Sequence, residues 1–559
     1  MIPLASSPET EGQTLEIKVD QVGYPTGLGK VALVVHRGAV VPTSFELRRA
    51  EDDRIVLPGK LSSPFFDPDS GDMTQTADFT GIDRVGSYYL NVAGLGRSVP
   101  FRIAPDVYTD AFKLTARSFY GQRCGTAVDL GNGFHHDACH KVGSYDLSSG
   151  RTGPHSSAKG WHDAGDYGRY VVSSSVTSAT LLLAVELWGQ GGMGRINLRI
   201  PESGHGIPDL LSETRWGIEW MLAMQDSDGG VWHKQTSAHF PGFVPPEKDA
   251  LPRLVIGSGR APFKTSCATA DFTAVTAIAS RLYRQYDPTF ADRCLVASKN
   301  AWGWLTAHPS VTFKNPPGIT TGEYGDEQCG DEQLWAAAEL SRATADESFE
   351  AYFTAHYREF LDRISSDEPP SWSNTAGFAL WAYALAKGRN ISAVKEIEDR
   401  SAAAADAIAQ RVQRDGYQNT LLRKNYVWGS NGVAANYSFQ LLIADRFSPK
   451  RQYREAAAAN LHYLFGRNPF SLSFVTGLGA NSVRNIHHRP SAGLKQPWPG
   501  LLSGGPNAGR EDPEMQRLIP AETPAAKAFL DLQESYASNE VAINWNAPLV
   551  FALAGLLPE

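Results

Sequence analysis

The sequence predicts a multidomain chain: an N-terminal all-β sandwich of immunoglobulin type over residues 13–104, then an all-α unit over residues 105–559 whose helical hairpins close into a ring. Three observations carry this. Up to residue 104 the apolar residues recur with period two, beyond it they recur at threes and fours, and a Pro-containing joint, Ala104-Pro105-Asp106, divides the two regimes. With 559 residues, 42% of them hydrophobic and 20% charged, the chain has material for a large core and lacks the composition of disorder.

In the first unit the alternation runs through Leu15, Ile17 and Val19, then Phe45 and Leu47, then Tyr88, Leu90 and Val92, then Phe101 and Ile103. Turn residues interrupt it about every 8 to 15 positions, the rhythm of a short-stranded sandwich. Asp67-Pro-Asp-Ser-Gly-Asp72 reads as one such turn, and Asp226-Ser-Asp-Gly229 as another in the second unit. In that unit Phe272, Val275, Ile278, Leu282 and Tyr286 share one helical face, as do Phe349, Tyr352, Phe353, Tyr357 and Phe360. About a dozen such segments are expected, among them 108–119, 178–189, 208–225, 394–413, 450–466 and 541–556. No fixed-period repeat accompanies them, which favours a closed ring over a solenoid. Three long loops, 120–176, 226–267 and 467–523, join the helices, and loops of that length are uncommon unless functional.

Composition bounds the partners. A net charge of −8 argues against nucleic acid or an anionic membrane surface. The apolar runs Leu181–Val185 and Val550–Leu557 are far shorter than the roughly 18 residues of a membrane span. Met1–Gln13 carries no signal-peptide pattern, so the chain is expected to be cytoplasmic or to have had a signal removed. The five cysteines, Cys124, Cys139, Cys267, Cys294 and Cys329, are odd in number and thinly spread, which reads as metal ligands or free buried thiols and not as a disulfide framework.

Three segments concentrate chemistry. In Trp161-His-Asp163-Ala-Gly-Asp166-Tyr the small residues let two carboxylates turn into one space, where one could act as a base on a shared water. A helix cap or calcium ligands would use the same residues. Near the C-terminus, Asn539-Glu540-Val541-Ala542 places a carboxylate at the start of an apolar helix, flanked by Tyr536 and Trp545. Partial burial there would suit a general acid, while a favourable helix-terminus charge is the plainer reading. Ser473-Phe-Val-Thr-Gly-Leu-Gly479-Ala-Asn481 leads to Ile486-His487-His488-Arg489, where His487 and Arg489 face the same way.

Together these segments resemble glycoside hydrolase family 9, the inverting cellulases and their relatives. Phe529-x-Asp531-x4-Tyr536-x3-Glu540-x-Ala542-x3-Asn546-Ala547 is similar to one family signature, and Ser473-x-Val475-Thr476-x2-Gly479-x-Asn481-x4-Ile486-His487-x-Arg489 to the other. Asp163-Ala-Gly-Asp166-Tyr is similar to the base motif, and the subgroup with an N-terminal immunoglobulin-like domain covers essentially the whole chain. The resemblance implies an (α/α)6 barrel and an endo-β-1,4-glucanase acting on cellulose or soluble β-glucans. In it Asp166 would be the base, Asp163 would help hold the water, and Glu540 would be the acid. His487, Arg489 and Tyr536 would contact the sugar, and Trp428 would stack on it. An exo-acting glucosidase or glucosaminidase on short oligosaccharides is the alternative, with the 226–267 loop, bearing Trp232, Phe240 and Phe243, walling the cleft. A non-catalytic carbohydrate-binding protein is the third reading. No cellulose-binding module or dockerin is evident, so soluble or amorphous glucan is the expected substrate, and a monomer the expected state.

Two metal sites are expected. Cys124, Cys139, His140 and His162 form a Cys2His2 set suited to structural zinc, with His135 and His136 as competing ligands, and the resemblance supports zinc at this spacing. Glu323, Asp326, Asp331 and Glu332 gather oxygen ligands before a helix; this is either a solvated acidic loop or, as the resemblance implies, a calcium site blurred by the residues around Cys329.

Overall fold

The computed structural model describes residues 12–36 and 41–558; the polar N-terminal stretch before residue 12 lies outside them. Among the described residues nine strands form the first unit: β1 (Ile17–Lys18), β2 (Val31–Val35), β3 (Ser44–Arg49), β4 (Ile55–Lys60), β5 (Phe65–Asp67), β6 (Asp72–Asp78), β7 (Gly86–Val92), β8 (Gly96–Arg97) and β9 (Phe101–Ile103). One sheet runs β1-β2-β6-β5 and the other β4-β3-β7-β8, with β9 also paired to β7. Inward residues of both sheets, among them Val34, Phe45, Leu47, Ala77, Leu90 and Ile103, close around Tyr24. Leu15 departs from the expected alternation: it is 50% exposed, and the inward pattern starts at Ile17.

The second unit is helical: α1 (Thr109–Gly121), α2 (Val171–Trp188), α3 (Asp209–Ala223), α4 (Ser266–Leu282), α5 (Pro288–Ala307), α6 (Gly330–Ala343), α7 (Glu347–Phe360), α8 (Ala376–Leu385), α9 (Ile391–Val412), α10 (Ser430–Phe447), α11 (Arg451–Leu464), α12 (Pro513–Leu518), α13 (Tyr536–Asn539) and α14 (Ile543–Leu556). Helices α2, α4, α6, α8, α10 and α14 form an inner ring, closed where α14 packs on α2. Phe378 of α8 meets Phe439 of α10 at 5.2 Å. Helices α1, α3, α5, α7, α9 and α11 pack outside them, one against each inner helix. This is an (α/α)6 barrel. Sequence sorts the two rings: α9 has an apolar stripe of Ile397, Ala404, Ala405 and Ile408 on a polar body, whereas α14 is buried on nearly every side.

Two sequence expectations are corrected. Helix α2 is longer than its apolar run suggested, and over 18 residues its mean hydropathy of 1.5 would suit a membrane span. Its apolar surface is used differently, since 72% of its residues are buried within the barrel, where it packs against α14 and α4. Cys267 and Cys329, expected as free thiols, form a disulfide. Spacing cannot reveal the pairing; the ring does, by bringing the N-terminal ends of α4 and α6 side by side.

The two units share a polar interface. Asp20 Oδ2 accepts from Tyr108 Oη at 3.0 Å and lies 2.7 Å from His462 Nδ1, and the Gln21 side chain bonds both Ser471 O and Asn481 N. All of these groups except Gln21 and its partners are fully buried, so each donor needs its acceptor.

Closing 62 residues of sequence, the disulfide stabilises the fold by about 4 kcal/mol on the chain-entropy estimate. Thiol titration of the unfolded, unreduced protein should find three thiols, Cys124, Cys139 and Cys294. The Cys267→Ser/Cys329→Ser double variant should lose about 2–4 kcal/mol in denaturant unfolding.

Candidate active site

Three distant segments meet at one peptide unit. Gly165, between Asp163 and Asp166, donates its N–H to Glu540 Oε1 at 3.3 Å. Its carbonyl accepts both the backbone N–H and the Nη1 of Arg489, at 3.0 and 2.9 Å. A side chain here would come within 2.0 Å of the His487 carbonyl, so only glycine allows the approach. Backbone bonds from His487 N to Asn539 O and from Ile543 N to Asp163 O complete the joint.

Contrary to expectation, Glu540 does not open a helix; it lies extended between α13 and α14, bridged to His487, and α14 begins at Ile543. The Asn539 amide donates to Asn485 O and Asp531 Oδ1. A helix-terminus role for Glu540 is therefore removed. Burial pushes its carboxyl up to about 8, and the Asp166 charge adds to the shift. Asp163 is 1% exposed, and burial pushes it up to about 7. Hydroxyls from Ser173 at 2.5 Å and Tyr324 at 2.7 Å bond its two oxygens and oppose that shift. Asp166 Oδ2 accepts from Gly168 N at 2.9 Å, and Oδ1 has no partner among the described residues.

Aromatic rings line the cleft beside these carboxylates. Trp428, 41% exposed, lies 5.3 Å from Tyr536; Tyr536 lies 5.8 Å from His487, and His487 4.9 Å from Phe243. The His487 Nδ1–H donates to Gln533 O, and burial lowers the ring to about 4, so a neutral imidazole keeps Nε2 as an acceptor. Arg489 also donates Nε to Pro241 O and sits over Phe240 and Phe243. Trp232, by contrast, is buried and bonded to Ser149 O, away from the cleft. A cavity of about 130 Å³ opens between Trp372, Trp428 and Trp545.

Behind the carboxylates, the metal-ligating atoms of Cys124, Cys139, His140 and His162 all lie within 4.8 Å of one another. Cys124 Sγ is 3.9 Å from His140 Nδ1, and Cys139 Sγ is 3.8 Å from His162 Nε2. Bonds of about 2.0–2.3 Å to a tetrahedral ion imply ligand spacings of about 3.3–3.8 Å, which the two Cys–His pairs approach, and two thiols with two imidazoles are a donor set that zinc takes. His140 Nε2 faces Asp249 at 3.3 Å, as metal-bound imidazoles usually face a carboxylate, and Arg253 in turn bonds Asp249. His135 and His136 stand outside; His136 bonds Asp137 O and packs on Trp498.

The acidic segment differs from expectation. Glu323 turns away, accepting from Asn315 N with Lys314 nearby. Asp271 of α4 takes its place beside Asp326, Asp331 and Glu332. Both oxygens of Asp271, both of Glu332 and Oδ2 of Asp326 are buried without partners among the described residues. Burial and mutual repulsion drive Asp271 and Glu332 far above the ordinary carboxylate range.

Residues 108–553 match the profile of Glycosyl hydrolase family 9. The chain belongs to that family. Residues 13–97 match the cellulase N-terminal ig-like domain. Endoglucanase D of Acetivibrio thermocellus is 38% identical over 551 residues, covering 97% of this chain and 83% of its own. A cellodextrinase of Butyrivibrio fibrisolvens is 33% identical over 518 residues, covering 89% and 92%. The solved structure of a Zn-binding triple mutant of the family 9 endoglucanase J30 superposes with a TM-score of 0.87 at 34% identity, covering 96% of this chain and 99% of that one. The chain is thus a glycoside hydrolase.

Within this family 9 chain, sequence reasoning passed over Ser173, Tyr324, Trp372 and Asp271. Tyr324 lay inside the segment read as acidic, yet its left-handed φ of 46° is a strained setting that marks it in the structure. Buried Lys234, which burial lowers to about 7, holds the Tyr324 loop through Thr321 O and Gly322 O.

A raised Glu540 also bears on stability. Its folded value of about 8 lies above its ordinary 4.5, so its contribution is complete below about pH 4.5 and is lost as pH rises through 8. Glu540→Gln, which cannot ionise, should raise Tm over the parent at pH 9, and the gain should shrink by pH 5 in calorimetric scans.

Proposed function

We propose that the chain is an inverting endo-β-1,4-glucanase acting on soluble or amorphous β-glucan. The observation that carries this is the pairing, across Gly165, of a carboxyl held protonated at neutral pH, Glu540, with an aspartate whose Oδ1 is free, Asp166. Glu540 gives its proton to the glycosidic oxygen as the bond to the anomeric carbon breaks. Asp166 takes a proton from the water that attacks the opposite face. Asp163, fixed by Ser173 and Tyr324, keeps spare lone pairs to orient that water. His487 Nε2, Arg489, Tyr536 and Trp428 hold the sugar.

Endo action is favoured by the row of rings from Trp428 to Phe243, which offers a chain-length wall and not a single-sugar pocket. The cellodextrinase relative favours the second reading, an exo-acting enzyme on short oligosaccharides. Carboxymethylcellulose, cello-oligosaccharides and chitosan oligomers separate them. A fast viscosity drop is expected, while monosaccharide release alone would support exo action. Asp166→Ala and Glu540→Ala should each lose at least about a hundredfold in kcat, and NMR of the first product should show an inverted anomer. Because the acid must be protonated, kcat should fall as pH rises past about 8.

We also propose a structural zinc on Cys124, Cys139, His140 and His162. Tyr167, next to Asp166, packs on His140 and His162 at 5.1 and 4.8 Å, so the site would brace the Asp163–Asp166 loop. Cys139→Ser should lose zinc by elemental analysis and melt lower. Calcium on Asp271, Asp326, Asp331 and Glu332 would neutralise the unpartnered oxygens. EGTA should lower Tm and added calcium restore it, with no such response in Asp271→Asn. The division at residues 104 and 105 and a monomeric state complete the proposal; sedimentation should give 60.8 kDa.

A further inference from the structure

The turn Asp67–Asp72, between β5 and β6 of the sandwich, is inserted between two loops of the barrel. One loop leaves α9 and runs to Trp428; the other leaves α12 and runs to Tyr536. From the first loop, Tyr417 donates its hydroxyl to Asp72 Oδ2 at 2.7 Å, and Arg423 faces Asp69 at 3.8 Å. Gly416 lies so close to the turn that a side chain there would come within 2.5 Å of Asp67 Cβ. From the second, Lys527 Nζ donates to Asp72 Oδ1 at 2.6 Å, and Ala526 N donates to Asp69 O at 2.8 Å. One carboxylate thus spends one oxygen on each loop.

A third segment, Asn507–Ala508 ahead of α12, joins the same two loops a second time. Ala508 N donates to Tyr426 O, Asn507 N to Ala528 O, and the Asn507 amide to Ala537 O. With both ties made, the segments bearing Trp428 and Tyr536 are held at either end, and the rings stand 5.3 Å apart. The bridge is not an ordinary surface ion pair. The Asp72 side chain is 9% exposed, Tyr417 is buried, and the other carboxylates of this region, Asp67, Asp69 and Asp415, are each pushed up by burial. Lys527 and Arg423 are the cations that face this acidic turn.

We propose that this turn is a wedge that sets the spacing of the Trp428–Tyr536 pair, with Asp72 a positioning residue for binding of the β-1,4-glucan chain. The immunoglobulin-like domain thereby acts on substrate affinity without touching substrate. The inference rests on the reading that these two rings bind the glucan.

The test uses the full chain and cellopentaose, each variant being assayed well below its own Tm. Asp72→Asn and Lys527→Met should each raise KM about three- to tenfold with kcat held within about twofold, because the carboxylates are fixed by the separate Gly165 joint. Lys527→Arg should restore KM. In a Trp428→Ala background, where the ring to be positioned is gone, Asp72→Asn should raise KM by less than twofold further. An unchanged KM in the single variants overturns the proposal. So does a KM effect that persists undiminished in the Trp428→Ala background, or a loss confined to kcat. If the parent enzyme fails to cleave cellopentaose at all, the glucanase reading fails first; an active parent with indifferent Asp72 variants sinks the wedge alone.

Discussion

The structure depends on the contact that Gly165 makes with His487, Arg489 and Glu540. Its peptide lies flat against a backbone from the far end of the chain, receives Arg489 and offers its N–H to Glu540. Everything around it serves that closeness. The inner ring brings α14 beside α2, and α14 begins just after Glu540 while α2 begins just after Asp166. The Cys2His2 cluster presses from behind through Tyr167.

Burial is the common currency of the site's electrostatics. Desolvation leads among the influences on Asp163, Glu540, His487 and Lys234, so each favours its neutral form near neutral pH more than its free counterpart would. A cleft built this way keeps hydroxyl donors, a neutral imidazole and one acidic proton in place without a dense field of charge. That suits an uncharged polysaccharide, and it accords with the aromatic wall alongside.

Much of this was legible in the sequence. The switch from period two to helical periodicity marks the boundary between sandwich and barrel, because each pattern has only one way to face a core. Asp163, Asp166, Glu540, His487 and Arg489 sit in segments whose spacing is distinctive, and the structure brings all five together. What escaped notice was information carried by the third dimension. The Cys267–Cys329 bond follows from two helices being neighbours in the ring, and Asp271 hides in an apolar helix, where its chemistry shows only beside Asp326 and Glu332. Glu540 looked like the first residue of a helix because the apolar pattern runs from residue 541, whereas the helix itself begins at Ile543. Helix α2 reads like a membrane span for a related reason: a core helix in a closed ring meets apolar neighbours on almost every side.

The hydrogen bond from Gly165 to Glu540 spans 375 positions of sequence. Closing a loop of that size carries an entropic cost that the intervening helices must offset before the contact is worth making. In the finished fold the contact is made where the ring closes, with α14 packed on α2. Along the chain Glu540 and the Asp163–Asp166 pair lie on widely separated segments, and only this joint makes them neighbours.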